Sequence, residues 1–209
     1  GIGKAIAREL ATCGCSVVLT ARGVEALDLT AKELGQETGQ QVTGVPCDLT
    51  STEEVERMVV EAADALGGRI DILVNNAAAP GGLARGPLSS IKDEDVLNDL
   101  NTKVMGYLRC ARAVAPYMVR QNWGRIINMS SIHGLVASPY KSAYVSAKHG
   151  LVGLTKAVAL EVGAYGVTVH AICPAYVRTP LVEAQIEDQA RTHGISEAEV
   201  IEQVMLESA

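Results

Sequence analysis

The sequence lacks the features that mark several classes of protein. Among its 209 residues, no hydrophobic run approaches the length of a membrane span, and no cluster of lysine and arginine suggests a nucleic-acid surface. The formal net charge is −6, from 18 basic and 24 acidic residues, which also argues against a polyanionic partner. We therefore expect neither a membrane nor a nucleic acid as a partner.

Cysteines are few, and their spacing fits neither a disulfide framework nor a zinc site. The five cysteines are Cys13, Cys15, Cys47, Cys110 and Cys173. An odd number of cysteines without metal-ligand spacing is typical of a protein in a reducing environment. We expect no metal ion and a cytoplasmic location.

Patterns typical of helices and strands alternate along the whole chain. Short apolar runs predict strands, and longer segments with a 3.6-residue period predict helices. We predict strands at residues 17–20, 41–47, 71–77, 125–131 and 167–173, and helices at 2–12, 24–37, 52–66, within 92–119 and at 142–162. Buried strands separated by helices indicate a single α/β domain over residues 1–209, with a doubly wound, Rossmann-like parallel sheet.

Both ends of the chain resemble cut edges. The sequence begins GIG with no strand before it, and the polar, helical segment 183–209 is followed by no closing strand. We therefore expect the natural protein to be longer at both ends. Segment 183–209 is either a lid over a ligand pocket or a solvated pair of helices.

Three polar or glycine-containing motifs follow the pattern of a nucleotide site. Gly1, Ile2 and Gly3 open a helix, where free N–H groups and the helix dipole favour a phosphate. Asn75 to Ala77, in the motif NNA, ends a strand, with backbone and amide groups available for a cofactor or for a simple Asx turn. Asp48 also ends a strand, where it would contact adenine or cap the next helix.

The segment KSAYVSAKHG places a tyrosine and a lysine four residues apart on a predicted helix. Tyr144 and Lys148 would share one face, and the ammonium would lower the pKa of the phenol and make it usable as an acid/base group. Ser131 ends the preceding strand, and its hydroxyl is a candidate to share a substrate oxygen with Tyr144. These residues suit proton transfer to and from a carbonyl oxygen.

In this order and spacing, the motifs resemble those of the short-chain dehydrogenase/reductase family over nearly the whole chain. The resemblance implies a Rossmann-like oxidoreductase that uses NAD or NADP, with Tyr144 as general acid/base, Lys148 on the nicotinamide ribose and Ser131 on the carbonyl oxygen. It also implies that Asn101 supports a water relay behind Lys148, and that the family members assemble as homotetramers. The matching CPAYVRTP segment places Pro174, Val177 and Thr179 at the cofactor.

The choice between the two nucleotides depends on the residues after the first strand. No acidic residue stands at Ala21-Arg22-Gly23 to bind a ribose 2′-hydroxyl. Arg22 would suit the 2′-phosphate of NADP, although it could also be a surface residue or stack on adenine. The residues favour NADP slightly, whereas the closest family resemblance favours NAD.

The region around Tyr144 most resembles 3-hydroxybutyrate dehydrogenases. In that family the positions matching His133, Lys141 and Gln185 bind the substrate carboxylate, which suits an imidazole, an ammonium and an amide. Pro80 and Tyr176 depart from the family pattern and would reshape the pocket wall. The resemblance implies a short 3-hydroxy acid as substrate. The alternatives are an NADPH-dependent 3-oxoacyl thioester reductase and a dinucleotide-sensing protein without turnover.

Overall fold

Helices and strands alternate along the chain in the computed structural model, which describes residues 1–78 and 86–202. The strands are β1 (Val17–Ala21), β2 (Val42–Pro46), β3 (Ile72–Asn75), β4 (Gly124–Met129) and β5 (Val167–Ile172). The α-helices are α1 (Ile2–Thr12), α2 (Val24–Thr38), α3 (Thr52–Ala65), α4 (Asp93–Leu100), α5 (Gly106–Arg120), α6 (Ser142–Val162), α7 (Pro180–His193) and α8 (Glu197–Glu199). The predicted α/β architecture is confirmed.

All strand pairs are parallel, but they form two sheets. Strand β1 pairs with β2, whereas β3, β4 and β5 pair in that order. The predicted doubly wound, Rossmann-like class is confirmed, and among the described residues no strand pairs with both β1 and β3. The carboxyl ends of β3, β4 and β5 lie side by side, and this edge carries the candidate site.

The main core lies between the strands and helices α3 and α5. Its fully buried members include Val55, Met118, Ile126 and Val167, which are 0 to 1% exposed. Apolar side chains on both faces of the strands explain their burial, as expected for parallel sheets covered by helices. This packing makes the sheet a rigid support for residues at its edge.

The predicted strands that correspond to β3, β4 and β5 extend too far at their carboxyl ends. The prediction placed residues 76–77, 130–131 and 173 in strands, but β3, β4 and β5 end at Asn75, Met129 and Ile172. The residues that follow leave the sheet and make other bonds: the Ser130 N–H donates to Ile172 O at 2.7 Å, and Ser131 begins a short 3₁₀ turn. The functional motifs therefore stand beyond the sheet edge.

The long helix predicted within residues 92–119 contains an irregular turn. Helix α4 passes into a π-helical turn at Asn101–Met105 and then into α5. The N–H of Gly106 bonds to the carbonyl of Asn101, five residues earlier. A π turn inserts an extra residue and changes which side chains face the core, and such turns are frequent at functional sites.

Helices α7 and α8 form a separate small unit. Thr179 caps α7 by accepting from the Val182 N–H, and Ile186 and Val200 form an apolar cluster apart from the main core. Residues 203–209 of the predicted lid lie outside the described residues. No helix in the described ranges is long and apolar enough to cross a membrane.

Candidate active site

Helix α6 carries the tyrosine and lysine of the KSAYVSAKHG segment on one face. The Lys148 ammonium lies 5.7 Å from the centroid of the Tyr144 ring and donates to the Met129 carbonyl at 2.6 Å. Lys148 is only 6% exposed, because α6 packs against β5, α4 and the 3₁₀ turn at Ile132–Gly134. The predicted pairing of the two residues on one helical face is confirmed.

Ser131 lies beside Tyr144, as the sequence predicts. Ser131 is 6% exposed, and a hydrogen bond from its hydroxyl favours the phenolate form of Tyr144. The two side chains therefore lie within reach of each other at the sheet edge. A carbonyl or alcohol oxygen bound there would contact both groups.

The pKa of Tyr144 is raised, which corrects the expectation that Lys148 would lower it. Burial is the largest cause and outweighs the hydrogen bond from Ser131, while the charge of Asp99 raises the pKa further. The physical reason is desolvation, which disfavours the phenolate in a half-buried site. Tyr144 in the free protein is thus held as a neutral acid.

Lys148 is itself perturbed by its surroundings. Burial, followed by the positive charge of Lys103, lowers the pKa of Lys148 to about 8, whereas Asp99 and Cys173 raise it. Near neutral pH the residue is still mainly an ammonium ion. Its charge becomes sensitive to pH in a range where an ordinary lysine stays protonated.

The two basic residues predicted to bind a carboxylate lie together beside the tyrosine. The Lys141 Nζ stands 3.1 Å from the His133 Nε2. The His133 ring lies edge-on to the Tyr144 ring, with centroids 6.1 Å apart and an interplanar angle of 86°. An ammonium and an imidazole adjacent to the acid/base tyrosine form a suitable site for a small anion. Gln185 lies on α7, and its side chain is outside the described residues.

The glycine-rich turn meets the NNA motif in space. A Cβ added at Gly3 would lie 2.8 Å from the Asn76 Nδ2, so that only glycine fits without a shift of the amide. Gly1 is the N-cap of α1, and Ile2 begins the helix. Free N–H groups at this helix start favour a phosphate, and the residues therefore fit a dinucleotide.

Asn75 does not have the free amide that the sequence suggested. Its side chain is buried, and its Nδ2 donates to the Asn128 Oδ1 at 2.9 Å. The Asn128 amide in turn donates to the Thr155 hydroxyl at 3.0 Å, which connects β3, β4 and α6. The Asn75 side chain is therefore structural. Ala77 is exposed, and its carbonyl accepts from the Tyr107 hydroxyl at 2.7 Å.

Asp48 forms a local turn and does not cap α3. Its Oδ1 accepts from the Thr50 N–H at 2.9 Å and from the Thr50 hydroxyl at 2.8 Å, while Ser51 is the N-cap. These bonds, and more weakly the charge of Arg22, hold the pKa of Asp48 below its usual value. Exposed Arg22 thus has a carboxylate near it.

The segment after β5 reaches the same edge of the sheet. The Pro174 carbonyl accepts from the Ile132 N–H at 2.8 Å, which places the segment beside Ser131. Val177 and Tyr176 are each 40% exposed, and Thr179 serves as the α7 cap. Pro80, which departs from the family pattern, lies outside the described residues.

Lys103, which the sequence analysis did not single out, lies against the tyrosine, and the role of Asn101 in a water relay stays a prediction. The Asn101 Oδ1 accepts from the Arg109 Nη2 at 3.0 Å, whereas the Lys103 Nζ lies 5.4 Å from the Tyr144 ring centroid. Sequence reasoning missed Lys103 because the π turn changes which side chains face α6. The sequence contained one indication of Lys103. Asp99 precedes it by four residues, the spacing of an ion pair on a helix, in a segment where about half of the other residues are apolar.

The sequence matches one family model and several curated proteins. The model described as short chain dehydrogenase matches residues 1–190. A D-beta-hydroxybutyrate dehydrogenase of Rhizobium meliloti is 48% identical over 99% of this chain and 79% of that protein. The enzyme of the same name from Cupriavidus necator is 40% identical over 99% of this chain and 78% of that protein. A putative ketoacyl reductase of Streptomyces coelicolor is 37% identical over 98% and 77%.

Solved structures with the same fold contain nicotinamide cofactors. An actinorhodin polyketide ketoreductase with NADPH has a TM-score of 0.87 and 35% identity, over 98% of this chain and 77% of that one. An NAD+-bound xylitol dehydrogenase has a TM-score of 0.83 and 32% identity, over 91% and 72%. Both cofactors thus occur among proteins similar to this chain.

Proposed function

Because this chain belongs to the short-chain dehydrogenase family and is an NAD- or NADP-dependent oxidoreductase, we propose that its substrate is a short 3-hydroxy acid. D-3-hydroxybutyrate, with acetoacetate as its product, is the leading pair. The observation that carries the proposal is the Lys141–His133 contact of 3.1 Å beside Tyr144. The names of the two hydroxybutyrate dehydrogenase relatives support the same acid and the same hand.

In the proposed reaction the protein moves a proton, and a bound nicotinamide would supply the acceptor for the hydride of the carbinol carbon. Ser131 and Tyr144 bind the substrate oxygen between them, and Tyr144 takes its proton during oxidation. In the reverse direction Tyr144 donates the proton to the carbonyl oxygen. The Lys148 ammonium, 5.7 Å from the Tyr144 ring centroid, would offset part of the cost that burial places on the phenolate.

The carboxylate of the substrate would bind the basic pair. The ammonium of Lys141 donates to the carboxylate, and the imidazole of His133 donates a second bond when it is protonated or suitably tautomerised. Gln185 on α7 is proposed as the third contact. An acid bound at this pair would have its 3-hydroxyl within reach of Ser131 and Tyr144.

Asp48 weakens the case for NADP. A 2′-phosphate beside Arg22 would share the charge of that arginine with the Asp48 carboxylate, whose pKa Arg22 lowers less than the Thr50 bonds do. The repulsion between two anions opposes the attraction to Arg22. We propose that the enzyme uses NAD at least as well as NADP.

Four further parts of the proposal concern its surroundings. The cofactor would be lined by Gly1, Ile2 and Gly3 together with Asp48, Ala77, Pro174, Val177 and Thr179. The α7–α8 unit would act as a lid, since its apolar cluster is separate from the main core. Helices α4 to α6 would contribute to a homotetramer. All five cysteines are free thiols, which suits the cytoplasm.

A second function is favoured by one observation. The ketoacyl reductase of Streptomyces coelicolor and the actinorhodin ketoreductase are similar over nearly this whole chain. The alternative is therefore reduction of a 3-oxoacyl thioester with NADPH. Such a substrate has no carboxylate to occupy the Lys141–His133 pair. The chain belongs to a family of enzymes, which argues against a dinucleotide-sensing protein without turnover.

A substrate comparison separates the two functions. The kcat/KM is measured for D-3-hydroxybutyrate, its L enantiomer, its uncharged methyl ester and a 3-oxoacyl thioester, with each nucleotide. The proposal expects the free D acid to exceed its ester and the thioester. A higher value for the ester or the thioester would contradict it.

A further inference from the structure

A buried ion pair lies next to the candidate acid/base tyrosine. Lys103 and Asp99 are 4% and 2% exposed, and the lysine ammonium donates to the Asp99 Oδ1. Lysine and aspartate are almost never fully buried unless they are paired. Removing two charges from water is costly, and apolar residues often replace such a pair without loss of stability. A contribution to the stability of the fold therefore does not explain the presence of this ion pair.

The ion pair faces the same phenol as Lys148. The Lys103 Nζ lies 5.4 Å from the Tyr144 ring centroid, and the Lys148 Nζ lies 5.7 Å from it. Two ammonium groups thus approach one ring, and Asp99 balances one of them. The π turn at Asn101–Met105 is the backbone feature that supports Lys103.

The cluster also contains hydrogen-bonding groups that the fold does not use. The Asp99 Oδ2 and the Thr102 Oγ1 are buried, and neither has a hydrogen-bond partner among the described residues. Buried polar atoms in folded proteins are usually bonded. A buried polar atom without a hydrogen-bond partner lowers the stability of the fold, and such costs are expected at functional sites.

We propose that Lys103, held by Asp99, is a positioning residue that acts through Lys148 and sets the pH range in which Tyr144 exchanges its proton with the substrate. This inference deepens the proposed function and rests on its assignment of Tyr144. The like charge of Lys103 opposes protonation of Lys148, and Asp99 favours it. The other titratable groups around this cluster are Tyr107 on α5, His133 edge-on to Tyr144, and Cys173 after β5.

Two single variants should shift the titration midpoint of Lys148 in opposite directions. Lys103→Met removes the repulsion, so that Lys148 keeps its proton to a higher pH. Asp99→Asn removes the attraction, so that Lys148 loses its proton at a lower pH. A charge within about 4–6 Å of a titrating group shifts its titration by about one pH unit or more. The alkaline limb of kcat/KM should therefore shift upward in the first variant and downward in the second.

The double variant Asp99→Asn with Lys103→Met should give a third titration midpoint for Lys148. Lys103 influences Lys148 more strongly than Asp99 does. The double variant should therefore titrate above the wild type and below Lys103→Met. It leaves no unpaired buried charge, so it keeps the test decisive where a single variant fails to fold. Lys103→Arg should restore the wild-type position, and Lys156→Met, at an exposed lysine on α6, is the matched control.

A titration without substrate distinguishes this inference from the proposed function. The side-chain NMR signal of Lys148 is followed against pH in the cofactor-free protein and assigned with Lys148→Arg. The expected order of midpoints, from high to low, is Lys103→Met, the double variant, wild type and Asp99→Asn. Identical midpoints and pH profiles, with only a lower melting temperature, would show that the pair is structural and overturn the inference. Failure to oxidise hydroxybutyrate would not affect this titration.

Discussion

Replacing Lys141 by methionine should separate recognition of the carboxylate from the chemistry at Tyr144. The Lys141 Nζ is 3.1 Å from the His133 Nε2, and the residue is half-buried, so its ammonium has lost part of its water. A hydrogen bond to a charged group contributes about 1.5–3 kcal/mol. Its loss should lower kcat/KM for D-3-hydroxybutyrate by roughly 10- to 200-fold.

The assay for this prediction compares a charged and an uncharged substrate. The kcat/KM for the methyl ester, which has no carboxylate, should change by less than about threefold in Lys141→Met, because methionine keeps the bulk of the side chain. Lys156→Met, at an exposed lysine on the same helix, should leave both values unchanged. An equal loss for acid and ester would refute the reasoning, since it would show that Lys141 only supports the helix start.

Three other substitutions test separate parts of the account. Tyr144→Phe should lower kcat by about 10²- to 10⁴-fold and preserve cofactor affinity, because only the proton carrier is removed; normal turnover would contradict its role. Gly3→Ala should weaken cofactor binding about tenfold, because the added Cβ would lie 2.8 Å from the Asn76 Nδ2. Gly153→Ala should leave cofactor binding unchanged, because its Cβ would have no atom within 4 Å. Titration with the dinucleotide measures both affinities. Asn75→Ala should lower the free energy of unfolding by about 1–3 kcal/mol, since its buried partner amide loses a bond, and urea unfolding with no change would rule out that link.

Features of the site that repeat along one element could be predicted from the sequence. Helix α6 spans Ser142–Val162 as expected, since its small and apolar residues continue without a break, and the four-residue spacing places Tyr144 and Lys148 on one face. The loop from β4 to α6 provides enough chain to bring Ser131 beside Tyr144 and Lys148. The sequence therefore predicted that Tyr144 and Lys148 lie on one helical face beside Ser131, whereas their catalytic roles stay predictions.

Features that depend on packing between elements could not be predicted. The amide of Asn75 turns inward to Asn128 on a neighbouring strand, and no local pattern specifies that choice. The π turn changes the helical phase by one residue and brings Lys103 to Tyr144, and no local pattern in the sequence indicated that turn. Burial likewise reverses the expected shift of the Tyr144 pKa, because desolvation outweighs the nearby hydrogen bond.

The most direct test of the central claim is the initial rate of NAD reduction with D-3-hydroxybutyrate, followed by absorbance of the reduced nicotinamide. The account predicts a kcat/KM above about 10⁴ M⁻¹ s⁻¹, within the usual range for an enzyme and its own substrate. It also predicts that the value with NADP will not exceed the value with NAD. Turnover of the acid far below that range, together with efficient NADPH-dependent reduction of a 3-oxoacyl thioester, would contradict the account.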